Sequence, residues 1–133
     1  MSRCNLTQTD FVLFNGDMLS FINSEDQLFK GFMDTAVRLF ASEIPMYYAR
    51  GNHETRGVFA TEIQRYFSPC QEHLYYAFRQ GPVYCIVLDT GEDKPDSDIE
   101  YAGITQYDLY RTEQSEWLAS ILESTEYKEA PFK

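Results

Sequence analysis

IPMYYARGNHETRG, residues 44–57, joins an apolar run to a dense cluster of glycine, amide, imidazole, carboxylate and guanidinium groups. The run from Ile44 has the length and aromatic content of a buried strand, and Gly51 ends it. Upstream, DFVLFNGD (10–17) is a second short apolar run, stopped near Asn15 by Asn-Gly-Asp. Between the two, Ser24 followed by Glu25, Asp26 and Gln27 signals a helix start. Leu28, Phe32, Met33, Val37, Leu39 and Phe40 supply apolar positions at mostly helical spacing, and Pro45 requires the helix to stop before it. Strand, helix-sized crossover and strand make a βαβ unit, expected to be parallel and right-handed. Both strands of such a unit end on the same sheet edge. The loops at 15–17 and 50–54 are therefore expected side by side, where α/β proteins bind ligands.

That juxtaposition gives the two loops a shared chemistry. A carboxylate at Asp17 can bridge two cations, and the neutral amide oxygen of Asn52 can fill a coordination position without cancelling the metal's charge. His53 beside such a site can donate a proton or a hydrogen bond to a leaving oxygen. Gly16 and Gly51 let the backbone turn sharply and approach a ligand. The competing reading is a solvated turn, since Asn-Gly-Asp is common loop chemistry. Arg50 and Arg56 read either as solvated charges or as contacts for a phosphate.

The rest of the chain continues the α/β pattern. A short helix fits 58–67, and LYYAFRQGPVYCIVLDT (74–90) reads as a hairpin turning at Gln80-Gly81-Pro82, with Tyr75, Tyr76, Phe78 and Tyr84 as core or rim packing. GEDKPDSDIEYAGITQ (91–106) reads as a long loop, its acidic stretch Glu92–Glu100 solvated. TEQSEWLASILES (112–124) reads as an amphipathic helix capped at Thr112, with Trp117, Leu118, Ile121 and Leu122 as its apolar face.

With 44% hydrophobic and 16% aromatic residues in 133, the chain has the apolar supply of one globular domain. The net charge of −10 repels phosphate backbones and argues against nucleic acid or an anionic membrane as partner. No run approaches the ~18 apolar residues of a membrane span, and MSRCNLTQTD lacks the apolar core of a signal peptide, so the chain as given reads as soluble, its compartment unassigned. Cys4, Cys70 and Cys85 are odd in number and lack CxxC spacing, which fits buried or idle thiols.

GDM at 16–18 followed by RGNHE at 50–54 resembles the second and third motifs of the calcineurin-like metallophosphoesterases, which include the purple acid phosphatases. The Tyr-rich hairpin ending in VLDTG and then YRTEQSEWL, with Tyr110, Glu113, Gln114, Trp117 and Leu118, is similar to the segment downstream of GNHE in many of these enzymes. The resemblance implies a partial layered α/β sandwich and hydrolysis of phosphate mono- or diesters by a metal-activated hydroxide at a dinuclear site of Mn, Fe or Zn. It implies that Asp17 bridges the two metals, that Asn52 ligates one, and that His53 contacts the scissile phosphate of a small phosphoester. Glu54 would support the ligands; Arg50, read from the residues alone, is a further candidate for contacting substrate, with the solvated-charge reading still open.

Other parts of the family pattern are missing. The opening D-x-H, the later histidine and the terminal GH-x-H have no counterpart, and His73 lies where the family has no ligand. Ser20 stands where purple acid phosphatases carry a tyrosine, so a ferric-tyrosinate site is not expected. Two matched ligands fall short of the roughly four to six that each ion needs. Residues 1–133 are therefore expected to form a single truncated domain, an internal piece of a longer phosphoesterase with weak or no metal binding and no activity alone. Sheet edges left bare near Phe11, Leu13 and Val87 would favour self-association. The alternatives are a short non-catalytic binding or regulatory module with the same fold, and a plain structural α/β domain.

Overall fold

The computed structural model describes residues 5–67 and 73–133. Strand β1 (Val12–Asn15) pairs with β2 (Met46–Ala49) in parallel, in the register Val12↔Met46 to Asn15↔Ala49. Both strands thus end level, and the loops that leave them start side by side. The crossover between them is one continuous helical stretch over 25–41. Its start follows from local chemistry. Ser24 Oγ accepts from Gln27 N (3.2 Å), and Gln27 Oε1 accepts from Asn23 N (2.9 Å), so two backbone donors that the helix cannot satisfy are covered.

The apolar positions of this helix are used differently from the expectation. Leu28, Phe32 and Ala36 are buried and Phe40 packs against them, whereas Val37 and Leu39 are exposed. π-Helical turns at Phe29–Met33 and Val37–Ala41 alternate with α turns at Glu25–Leu28 and Asp34–Ala36. In a straight α-helix residues four apart drift by about 40°. The wider π turns reduce that drift, so one line of residues spaced by four faces the strands and the others turn outward. The core they build contains Ile22, Tyr48 and Ile63 as well, and Phe14 packs edge-on to Phe32 at 4.8 Å between ring centroids. Each such side chain stabilises the fold by roughly 1.5–3 kcal/mol when fully buried.

The hairpin forms where the sequence places it. β3 (Tyr76–Gln80) and β4 (Val83–Val87) pair antiparallel around Gly81 and Pro82, with Gly81 at φ +57°. Tyr75 and Tyr84 are buried, and Tyr76 and Phe78 are half-buried. The hairpin forms a sheet of its own and touches β2 through side chains. Tyr48 N donates to Tyr76 Oη (3.0 Å), Tyr76 Oη donates to Tyr48 O (2.9 Å), and Phe78 stacks on Tyr47. Of the side chains expected beside open edges, Val87 is buried, Phe11 is half-buried against Tyr47 and Phe78, and Leu13 is exposed. On the far side of the hairpin Phe132 bridges β4 at Val83, a pairing that no local signal announces.

The last long helix runs over Tyr107–Glu123, five residues ahead of the expected cap at Thr112. Thr112 Oγ1 instead donates within the helix to Asp108 O. The cap comes from the preceding loop, where the Asp96 carboxylate accepts from Tyr107 N and Asp108 N, both at 2.9 Å. The helix's apolar face is shallow. Trp117, Leu118 and Ile121 are half-buried, Leu122 is exposed, and Gln114 is the one fully buried member among the described residues. Among the described residues no helix is long and apolar enough to cross a membrane. Cys4 and Cys70 lie outside the described residues. Cys85 is a half-buried free thiol whose ionisation burial pushes up.

Candidate functional site

The two loops expected to meet do so at backbone contact. A Cβ on Gly16, at φ +72°, would collide with Gly51 N, and a Cβ on Gly51 would collide with the Asp17 carboxylate. Glycine at both positions is what lets the chains come this close. Asp17 itself is left-handed, at φ +57°, a conformation uncommon outside glycine and tolerated best by Asn and Asp.

Glu54 holds the arrangement. It is 1% exposed, and its Oε2 accepts from Asp17 N (2.8 Å) and Gly51 N (3.1 Å) while Oε1 accepts from Leu19 N (2.9 Å). One carboxylate thus ties both loops together through three N–H groups, each a charge-assisted bond. It sits in the short helical turn Asn52–Thr55, whose third residue reaches back to the N–H of the residue before the turn. Its negative charge, after burial, raises the ionisation of the neighbouring Tyr48 phenol above the usual range.

Around this anchor stand the other residues singled out from the sequence. Asp17 is exposed and its Oδ1 accepts from His53 N at 3.3 Å. Asn52 and His53 are partly exposed. Asn52 Nδ2 donates to Glu92 Oε2 (3.2 Å), which fixes the amide with its oxygen as the remaining donor atom to a ligand. Asp17, Asn52 and His53 therefore share one surface at the ends of β1 and β2. His73 is elsewhere, stacked on Tyr75 at 4.7 Å.

Arg50, Arg56 and Glu92 are not free solvated charges: each is paired, with Arg50 and Glu92 largely buried and Arg56 partly exposed. Arg50 grips Asp89 through Nε (3.1 Å) and Nη2 (2.8 Å), with side chains 12% and 1% exposed. Asp89 also accepts from Tyr110 Oη (2.9 Å) and Gly91 N, and its own N–H donates to Gln114 Oε1 (2.6 Å). Arg56 holds Glu92 in the same forked manner, at 2.7 and 3.1 Å, and Thr55 Oγ1 adds a third bond. Glu92, read from the sequence as part of a solvated run, is buried. A carboxylate there is sustained by its guanidinium partner. The sequence reading missed Asp89 and Glu92 as partners. Their only local signals were the strand-ending VLDTG and the first acid after it.

The Arg56 guanidinium, helped by Asn52 and Thr55, holds the Glu92 carboxyl well below the usual carboxylate range, down to about 2. The folded state thus binds a proton less readily than the unfolded chain. The resulting stability is complete above the ordinary value near 4.5 and is lost as pH falls through about 2. Allowing for screening around the partly exposed Arg56, it amounts to about 2 kcal/mol. Urea unfolding should show Glu92→Gln less stable than the native chain by that margin at pH 6, with the gap closing between pH 4.5 and 2. A gap independent of pH would refute the ion-pair account.

As a metal site the residues present are incomplete. Asp17 and Asn52 offer hard oxygen donors of the kind divalent ions take. Among the described residues, however, no group of three or more His, Cys, Asp or Glu is placed to hold an ion. These residues do not enclose a metal pair by themselves.

Comparison with known proteins gives one match. The family model described as calcineurin-like phosphoesterase matches residues 3–131. No curated protein and no solved structure matches the chain. The match takes in both loops that Glu54 joins and extends through the hairpin and the long helix. The chain belongs to the calcineurin-like phosphoesterase family, whose members hydrolyse phosphoesters and generally depend on a dinuclear metal centre.

Proposed function

We propose that this chain carries one wall of a metal-dependent phosphoesterase site. On it Asp17 and Asn52 hold the ions, His53 meets the phosphate and its leaving oxygen, and Glu54 keeps the loops in place. The observation that carries this reading is the meeting of the two motif loops, with Asp17 Oδ1 on His53 N and both backbones tied to one buried carboxylate. Divalent ions, when bound, supply Lewis acidity and an activated water.

Arg50 and Arg56 are each neutralised by a bidentate carboxylate, so neither offers a phosphate an uncompensated charge. In a chain of net charge −10, the substrate's negative charge is then left to bound cations. A purple, tyrosinate-bound iron is not part of this reading, because Ser20 takes the tyrosine position of that subfamily.

Because Asp17 and Asn52 are the only ligands assigned here, calorimetry with Mn2+ and Zn2+ should give at most one weak site, abolished in Asp17→Ala. Hydrolysis of an aryl phosphate by this chain should stay near background. Two tight sites that survive Asp17→Ala would overturn the assignment. Robust turnover lost in His53→Ala would mean that the ligand set is completed from elsewhere, for instance by a second copy. The lack of a closed cluster among the described residues favours a second reading, a non-catalytic module of the same fold. Complete absence of Asp17-dependent metal binding, at ion concentrations where a weak site would fill, would favour that reading over the first.

A further inference from the structure

A cleft of about 410 Å³ opens beside the RGNHE loop and shares Arg50 with it. This volume lies within the range of small-molecule sites, roughly 300–1,000 Å³. In a strongly acidic chain the described residues of its lining include no carboxylate side chain, and the one guanidinium among them is already neutralised by Asp89. The occupant it suits is therefore uncharged where it touches these walls.

The shape of the lining narrows this further. Tyr110 and His73 present aromatic rings, their centroids 6.0 Å apart, and Tyr110 is immobilised by its hydroxyl bond to Asp89. Tyr107 adds a third ring, seated so closely on Gly91 that a Cβ there would collide with it. Rings fixed in this way lose little entropy when a planar group packs on them.

Two carboxamides, Gln64 and Gln106, also line the cleft. Gln106 occupies the cap position of the long helix but makes no capping bond, because Asp96 supplies the cap. Its amide is left exposed at the cleft, with a donor and an acceptor in one plane. That pattern matches the edge of a heterocycle carrying both an amino group and a ring nitrogen.

We propose that this cleft binds a planar, uncharged nitrogen heterocycle, so that the phosphoester handled at the neighbouring loops is a nucleoside phosphate. The substrate class rests on the phosphoesterase reading, while the binding of the heterocycle does not. Equilibrium dialysis of the full chain with adenosine, ribose and inorganic phosphate tests it without any metal. Adenosine should bind saturably, and neither ribose nor phosphate should displace it. Gln106→Leu, at an exposed position that leaves the core untouched, should weaken adenosine binding about tenfold. Asp17→Ala should leave that binding unchanged. No saturation by adenosine up to millimolar concentration, or equal affinity in Gln106→Leu, would overturn the proposal. If adenosine binds as described but Asp17-dependent metal binding fails, the cleft stands and only its link to phosphoester chemistry falls.

Discussion

Glu54→Ala should destabilise the protein by on the order of 3–5 kcal/mol, among the largest effects of truncating any one charged side chain in the candidate site. The carboxylate is fully buried and accepts from three backbone N–H groups, those of Asp17, Leu19 and Gly51. Hydrogen bonds to a charged group contribute about 1.5–3 kcal/mol each, and a buried donor left unpaired costs about 1–3 kcal/mol. Relief from burying the charge, and water entering the gap, offset part of that total. Glu54→Gln keeps the shape but turns an amino group toward backbone donors, so it should recover little. Urea unfolding gives the stability, and an unchanged slope would show that the loss lies in the folded state. Hydrogen exchange at the Asp17, Leu19 and Gly51 amides should accelerate together. A loss under about 1 kcal/mol would mean that the loops are held by something other than Glu54.

Arg50→Ala should cost a similar amount, about 3–5 kcal/mol, for a different reason. It leaves Asp89 buried as an uncompensated charge, with Tyr110 Oη and Gly91 N as the remaining partners of its oxygens among the described residues. Because burying an ion pair is itself expensive, replacing both partners is expected to be milder than removing one. Arg50→Met combined with Asp89→Leu should therefore be more stable than Arg50→Ala alone. The comparison isolates the orphaned charge from the loss of packing. If the double variant is the less stable, the pair contributes net attraction beyond its desolvation cost. The same pair fastens the RGNHE loop to the end of the hairpin and, through Tyr110 and Gln114, to the long helix. Arg50→Ala should consequently also loosen the wall of the adjoining cleft, visible as weaker adenosine binding.

Much of the scaffold was written in local patterns. Two apolar runs each halted by a glycine, a Ser24–Gln27 cap and a proline at 45 were enough to mark strand, helix and strand. The parallel pairing followed from the strand–helix–strand order, while the register itself came from the structure. With the register came the meeting of Asp17 with Asn52 and His53, since strands that end level bring their loops together. The hairpin turn at Gly81-Pro82 was equally local. These features depend on residues within a few positions of one another, where backbone preference and hydrophobic period act.

What only the tertiary structure decided are the partners of buried charges and the ends supplied from a distance. Arg50 and Arg56 find Asp89 and Glu92 at separations of 39 and 36 residues, Asp96 caps a helix 11 residues away, and Phe132 bridges β4 at Val83. No periodicity encodes such pairings, because a buried charge accepts whichever opposite charge the fold carries to it. The crossover helix shows the same division. Its existence lay in the sequence, but the choice of Leu28, Phe32 and Ala36 over Val37 and Leu39 as its inner line was made by packing against β1 and β2.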